Sequence, residues 1–165
     1  MLLGEILHRG SIKTTLESTE KYAAIDELVE ILIDSNDLSV TQRDYVRAAV
    51  RDREESMSTG MEMGIALPHG SSTSIENLVG ALGISRAGID WECLDGQPAN
   101  LILLLVLPKH EFQVRVRTLA GISHLLNDDT FREALLNAED ADAILKLVRT
   151  EERSSIFDRF RRVFK

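Results

Sequence analysis

The stretch GIALPHG, Gly64–Gly70, is a short apolar run that ends in Pro68 and is followed at once by His69 and Gly70. Such a run is typical of a buried strand, and it predicts that the imidazole of His69 emerges where the strand ends. Ligands bind at strand ends and loops of α/β sheets, and a neutral imidazole is a nucleophile near pH 7. These residues alone also fit a structural histidine satisfied by hydrogen bonds, which is the commoner role.

Around this stretch lie two further apolar runs, Asn77–Ile84 and Asn100–Leu107, whose length and bounding turn residues are typical of buried strands. A loop is predicted over Ser56–Gly64, and a tight turn at Asp95–Gly96. Helices flank this region on both sides in the sequence. They are predicted over Tyr22–Asp34, from Ser39 toward Arg53, and over Phe112–Leu126, Phe131–Ala138 and Ala141–Arg149. The pattern predicts an α/β fold: a single layered domain with a small mixed β-sheet covered by helices on both faces.

Capping residues mark where these helices begin. Ser39–Gln42 fits the S-x-x-Q capping box. Side chains that accept hydrogen bonds from the first free N–H groups are expected just before the other helices. The candidates are Ser18 or Thr19, Asp128 or Asp129, and Asp140.

The bulk composition excludes several classes of protein. The 165 residues carry a net charge of −8, which argues against nucleic acid as a partner because nucleic-acid affinity depends on Lys and Arg. Cys93 is the single cysteine, so an internal disulfide is excluded, and no His, Cys, Asp and Glu cluster has metal-binding spacing. Glu5 interrupts the N-terminal apolar run, so a secretory signal is not predicted. We expect a cytoplasmic protein.

Residues 53–69 resemble the phosphorylation site of enzyme IIA of the bacterial phosphoenolpyruvate-dependent phosphotransferase system, of the fructose–mannitol or nitrogen-regulatory type. The family pattern is an Arg-Glu pair, a Ser/Thr-Thr-Gly triplet, and a Gly-Ile-Ala-hydrophobic-Pro-His run. Here these segments are Arg53–Glu54, Ser58–Gly60 and Gly64–His69, in the same order and at matching spacing. The resemblance continues through Asp95–Pro98 and predicts an enzyme IIA-like phosphocarrier domain over residues 1–150.

The resemblance implies that His69 takes a phosphoryl group from the phosphocarrier protein HPr and passes it to a IIB domain. Arg53 is implied to lie beside it, where a guanidinium can bind two phosphoryl oxygens at once. No metal or organic cofactor is needed for transfer between histidines. Hydroxyl and backbone donors that would line the phosphate site are predicted at Ser58, Thr59, Gly60 and Gly70.

One position departs from the family pattern. Members usually carry a second histidine at the start of the helix after the strand that ends at Pro108, and Arg115 takes that place here. An arginine still stabilises a phosphoryl oxyanion, but it cannot give up a proton near pH 7. Arg115 is therefore predicted as a third site residue. His110, in the preceding loop, is the alternative as a displaced second histidine.

Two functional classes follow from the resemblance. The chain is either the carrier in a sugar-uptake chain, or a regulatory module whose phosphorylation state controls a kinase, a channel or a transcription factor. It is in either case a histidine phosphotransfer component rather than a stand-alone metabolic enzyme. A relic that keeps the fold without phosphotransfer is disfavoured, because the motif around His69 is intact.

Residues 151–165 are predicted to form a separate C-terminal tail. Arg153–Lys165 carries five basic residues against one acidic residue in an otherwise acidic chain. Helical spacing puts five apolar residues on one face, so the tail is predicted to be a basic amphipathic helix. Weak contact of residues 153–165 with an anionic membrane surface is one interpretation, docking on a partner is another, and folding back onto the acidic domain is the third. The apolar residues are Ile156, Phe157, Phe160, Val163 and Phe164.

Overall fold

The computed structural model describes the backbone of residues 2–163 and the side chains of residues 2–155. Its centre is a mixed sheet in which the long strands β4 and β5 pair antiparallel, with Leu82 opposite Leu103. β1 pairs parallel with β4, while β2 and β3 follow one another along the free edge of β5, both parallel to it. The strands are β1 Ile12–Lys13, β2 Ile65–Ala66, β3 His69–Ser72, β4 Val79–Ile89 and β5 Ala99–Pro108.

Within residues 2–163, six α-helices cover the two faces of this sheet. Helices α2 and α3 pack on one face around the buried residues Ile25, Leu28 and Val50. Helices α1, α4, α5 and α6 pack on the other face, where Ile122 and Val148 are buried. Both faces of β5 are therefore covered, which is why its sequence is almost continuously apolar. The helices are α1 Leu3–Ile6, α2 Lys21–Asp34, α3 Arg43–Ser56, α4 Phe112–Leu126, α5 Asp129–Leu136 and α6 Ala141–Val163.

The predicted class, a small mixed sheet between two helical layers, is confirmed. The boundaries of α4 agree with the prediction residue for residue. β4 runs five residues past its predicted end at Ile84, with an irregular register between Ile84 and Ile89. β1 was not predicted, because a strand of two residues has no period to detect.

The capping predictions had mixed outcomes. Asp128 and Asp140 cap as expected, each accepting a backbone N–H three residues on, at 2.8 Å. Neither Ser18 nor Thr19 caps α2, so that prediction was wrong. Glu20 accepts the N–H groups of Tyr22 and Ala23 instead, while the Ser18 hydroxyl donates to Glu27.

The capping box at Ser39 opens a 3-10 turn, Val40–Gln42, before α3 begins at Arg43. The predicted turn at Asp95–Gly96 is confirmed. The N–H of Gly96 donates to the carbonyl of Cys93 at 2.9 Å, and Gly96 takes a φ of +71°.

Helix α6 continues past Arg149 to Val163 without a break in the backbone, so it joins the helix predicted over Ala141–Arg149 to the helix predicted for the tail. Glu152, in the added part, is 7 % exposed and accepts the N–H groups of Leu3 and Gly4. The part of α6 beyond the expected domain boundary at residue 150 is therefore bonded to the N-terminus of the chain. The apolar residues of the predicted tail, 156–164, have side chains outside the described residues. Among the residues that the structure describes, no helix has the length and apolar character needed to cross a membrane.

Candidate functional site

His69 is the first residue of β3, on the edge of the sheet. Leu67 and Pro68 interrupt the edge between β2 and β3, although both strands pair with β5. Proline has no N–H to give to a sheet, and here only the carbonyl of Pro68 is bonded, accepting from the N–H of Leu105 at 3.0 Å. Pairing resumes at His69, which lies opposite Leu105.

The imidazole of His69 is half-buried, and its Nδ1 atom lies 2.8 Å from the carbonyl oxygen of Leu67. A carbonyl can only accept, so Nδ1 carries the proton of the neutral ring and Nε2 keeps a free electron pair. Burial lowers the pKa of His69 below its ordinary 6.5, and the charges of Arg53 and Arg115 lower it further. The hydrogen bond to Leu67 and the carboxylate of Glu54 oppose this shift in pKa without reversing it. The ring is therefore a neutral nucleophile at pH 7.

Arg53 stands in the last turn of α3 and donates from Nη1 to the carbonyl of Met57 at 2.8 Å. It reaches the site because α3 packs directly on β3 at Gly70. A Cβ at position 70 would lie 2.9 Å from the backbone nitrogen of Val50, so only glycine allows this approach. Gly70 thereby sets the distance between the helix that carries Arg53 and the strand that carries His69.

Arg115 stands in the first turn of α4, on the other face of the sheet. Its Nη1 atom donates to the hydroxyl of Ser71 at 3.1 Å, and its guanidinium lies 4.7 Å from the centre of the Phe112 ring. Ser71 is two residues from His69 on β3, so the two side chains share one face of the strand. His69 is thus approached by two arginines from helices on opposite faces of the sheet.

The loop after α3 is held by hydrogen bonds that the motif residues make within the protein. Thr59 is buried, and both its N–H and its hydroxyl donate to the carboxylate of Glu54. The hydroxyl of Ser58 donates to the carbonyl of Trp91, and a Cβ on Gly60 would lie 2.8 Å from that same oxygen. These contacts hold the loop in place. Direct binding of phosphate by Ser58, Thr59, Gly60 and Gly70 remains a prediction.

Glu54 lies at the centre of a network that the sequence did not reveal. Its side chain is fully buried, and it accepts from Lys21 Nζ at 3.3 Å. The carbonyl of Thr59, which Glu54 holds in place, accepts the N–H of Leu67, and the carbonyl of Leu67 accepts from His69. A chain of hydrogen bonds therefore runs from the end of α3 to the imidazole.

A sequence model of the family described as "Phosphoenolpyruvate-dependent sugar phosphotransferase system, EIIA 2" matches residues 5–151. The chain belongs to this family. The matched span contains His69 and both arginines, whereas α6 continues beyond it to Val163.

Three known proteins represent the relatives of this EIIA chain. The fructose-specific EIIABC component of Bacillus subtilis is 35% identical over 153 residues, which is 93% of this chain but only 24% of that protein. The crystal structure of nitrogen regulatory protein IIA-Ntr from Neisseria meningitidis aligns with a TM-score of 0.80 at 25% identity, covering 88% of this chain and 98% of that one. Enzyme IIA-mannitol of Escherichia coli, in complex with phosphorylated enzyme IIB-mannitol, aligns with a TM-score of 0.70 at 19% identity, covering 87% and 97%. That last likeness is one of fold.

Within the EIIA site, sequence reasoning missed Lys21, Ser71 and Phe112. Ser71 lies in β3, which was not predicted, so neither its position nor that of Lys21 gave a usable signal. His110 is exposed in the turn before α4. Among the described residues, no three His, Cys, Asp or Glu side chains are grouped so that they could hold a metal ion.

Proposed function

We propose that this EIIA domain is a phosphocarrier, in which His69 accepts a phosphoryl group from phosphorylated HPr. The observation that carries the proposal is the Nε2 atom of His69, which is left unprotonated by the hydrogen bond from Nδ1 to Leu67. The charges of Arg53 and Arg115 near this ring supply what phosphoryl transfer demands, because negative charge spreads over three oxygens in the transition state.

The phosphoryl group is proposed to move from the donor histidine to His69 by direct attack of one ring nitrogen on phosphorus. The electron pair of Nε2 forms a bond to phosphorus, while the nitrogen–phosphorus bond of the donor phosphohistidine breaks and its pair stays on the donor imidazole. Nδ1 keeps its proton, so the phosphorylated ring of His69 carries a positive charge beside the negative phosphoryl group. The Leu67 carbonyl then accepts from a cationic ring, which strengthens that hydrogen bond.

Arg53 and Arg115 are proposed to stabilise the phosphoryl oxygens, and each guanidinium has N–H donors to spare after its contact with Met57 or Ser71. The loop residues Ser58, Thr59 and Gly60 are proposed to act mainly by holding the site together.

The partners follow from the family and are proposals for this chain. The acidic body is suited to docking a basic face of HPr through charge complementarity. Enzyme IIA-mannitol, which shares this fold, forms a complex with phosphorylated enzyme IIB-mannitol, and this supports a IIB domain as the proposed acceptor. As a partner of HPr, the chain is proposed to act in the cytoplasm.

Regulation is the second candidate function, and Arg115 favours it. A permanent cation holds a phosphoryl group at every physiological pH, which suits a state that is stored and sensed by a kinase, a channel or a transcription factor. The likeness to nitrogen regulatory protein IIA-Ntr supports the same candidate. Transport is supported by the fructose-specific relative, of which this chain spans about a quarter.

Labelling tests the proposed function. The protein is incubated with labelled phosphoenolpyruvate, enzyme I and HPr, beside His69→Ala and the control His124→Ala, which changes an exposed histidine of α4. Acid-labile label is expected on the wild type and on His124→Ala. Absence of label on the wild type, with HPr phosphorylated in the same tube, would exclude the phosphocarrier role.

The tail is proposed to make weak contact with an anionic membrane surface through its basic amphipathic face. Its helical backbone continues α6 as far as Val163, which gives residues 153–163 the required periodicity. Truncation after Ser155 removes the apolar residues and keeps Glu152 bonded to the N-terminus. Binding to vesicles of anionic lipid is expected to fall, and equal binding by the truncated protein would remove this proposal.

A further inference from the structure

The side chain of Arg115 contacts Ser71 and Phe112, neither of which takes part in the proposed phosphoryl transfer. The hydroxyl of Ser71 accepts from Nη1, and the ring of Phe112 lies under the guanidinium at 4.7 Å. One contact holds a donor nitrogen of the guanidinium, and the other holds its central carbon over the ring. Together they restrict where the group lies.

This constraint has a physical consequence. A free arginine side chain loses rotamer entropy when it is ordered. The contacts with Ser71 and Phe112 restrict the side chain within the protein itself, so less ordering is required during transfer. Phe112 is 63 % exposed, so its ring is available to the guanidinium and not committed to the core.

We propose that Ser71 and Phe112 are positioning residues that hold the Arg115 guanidinium beside the phosphoryl acceptor His69. The inference rests on the proposed function. Ser71 occupies one of the five N–H donors of Arg115 and leaves the others for phosphoryl oxygens. Phe112 holds the guanidinium over its ring by a cation–π contact, which limits the positions that the group can take. Neither residue touches the phosphoryl group itself.

A double-mutant cycle tests this inference. Single-turnover transfer from labelled HPr is measured for Ser71→Ala, Phe112→Leu, Arg115→Ala and the two doubles with Arg115→Ala. Removing a preorganised charge is expected to slow transfer roughly 100-fold in Arg115→Ala. Misplacing it is expected to slow transfer roughly tenfold in Ser71→Ala and in Phe112→Leu. In the Arg115→Ala background the same two substitutions are expected to have no further effect, because the group they position is gone.

The cycle separates positioning from other roles. Losses that multiply with that of Arg115→Ala would overturn the inference, since they would mean that Ser71 supports the strand or that Phe112 contacts HPr. Ser71→Thr keeps the hydroxyl and is expected to restore most of the rate. Ser154→Ala, at an exposed serine of α6, is the matched control.

The pKa of His69 gives a second measure that needs no phosphoryl transfer. Arg115 lowers this pKa, so NMR titration of the imidazole is expected to show a rise in Arg115→Ala and a smaller rise in Ser71→Ala. A rise in Arg115→Ala alone would overturn the positioning role. Failure of the wild type to accept label would instead overturn the proposed function, whatever the titration shows.

Discussion

The Nδ1 atom of His69 lies 2.8 Å from the carbonyl oxygen of Leu67, two residues earlier in the chain. This one contact selects the tautomer of the ring and directs the free electron pair to Nε2. Pro68 stands between the two residues and, having no N–H, gives the sheet no donor at this point, while its carbonyl accepts the N–H of Leu105. The contact with Leu67 thus leaves Nε2 as the one ring nitrogen of His69 that can act as a nucleophile.

The first prediction concerns the titration of His69. Burial, with the charges of Arg53 and Arg115, holds the pKa of His69 below 6.5, so the ring stays neutral as the pH falls to that value. In NMR titrations the imidazole is expected to show a midpoint below 6.5, with Nε2 unprotonated at pH 7. A midpoint at or above 6.5 would contradict the burial argument.

The lowered pKa of His69 also determines how the stability of the protein changes with pH. Because the unfolded ring binds a proton at higher pH than the folded ring, the contribution of His69 to stability is lost as the pH falls through 6.5 toward the folded pKa. His69→Gln removes the titrating ring, so its stability relative to the wild type is expected to improve over that interval. Urea unfolding at pH 7.5 and pH 5.5 measures the difference.

Gly70→Ala is expected to destabilise the protein. The new Cβ would lie 2.9 Å from the nitrogen of Val50 and 3.0 Å from the carbonyl carbon of Ala49, both backbone atoms. Overpacking of this kind costs about 1–3 kcal/mol, and it would push α3 and Arg53 away from β3. Gly121→Ala is the matched control, since nothing lies within 4 Å of its Cβ and alanine favours helix. Equal urea midpoints for the two variants would refute the packing argument.

Glu54→Gln is expected to lower the free energy of unfolding by about 3 kcal/mol, the cost of removing one partner from a buried ion pair. It leaves Lys21, whose side chain is 10% exposed, with only the exposed Glu92 as a charged partner. Glu55→Gln changes an exposed neighbour and is expected to have almost no effect. Adding Lys21→Met to Glu54→Gln should recover part of the loss. Additive losses in the double variant would show that the pair is not coupled.

Arg115→His is expected to speed onward transfer from phosphorylated His69 to a IIB domain. A fixed guanidinium holds the phosphoryl oxygens at every pH, whereas a histidine near pH 7 is partly neutral and holds them less firmly. The rate is followed as loss of label from the phosphorylated protein, with Arg115→Lys as the variant that keeps the charge. The storage role of Arg115 fails if the histidine variant transfers at the wild-type rate.

Much of the fold was predictable because periodicity and apolar run length report directly on burial. The continuous apolar run of β5 indicated a strand covered on both faces, and α4 was predicted to the residue. The short elements α1, β1 and β3 were not predicted, and the other errors lie at element ends. Glu20 caps α2 because its carboxylate is free, while Ser18 is drawn away by Glu27, a residue on the helix itself. Helix α6 joins two segments that were predicted as separate helices, and between them Glu152 bonds to the distant Leu3.

By itself the sequence determined the strand–proline–histidine unit, the order of its motif and the presence of Arg53 and Arg115. These features depend on residues that are close together in the chain, so they can be recognised from the local sequence pattern. Only the tertiary structure decided that Ser71 and Phe112 hold Arg115, that Lys21 neutralises Glu54, and that Gly70 sets the approach of α3 to β3. Those contacts join residues of different elements, and they exist only because helices from opposite faces meet at one edge of the sheet.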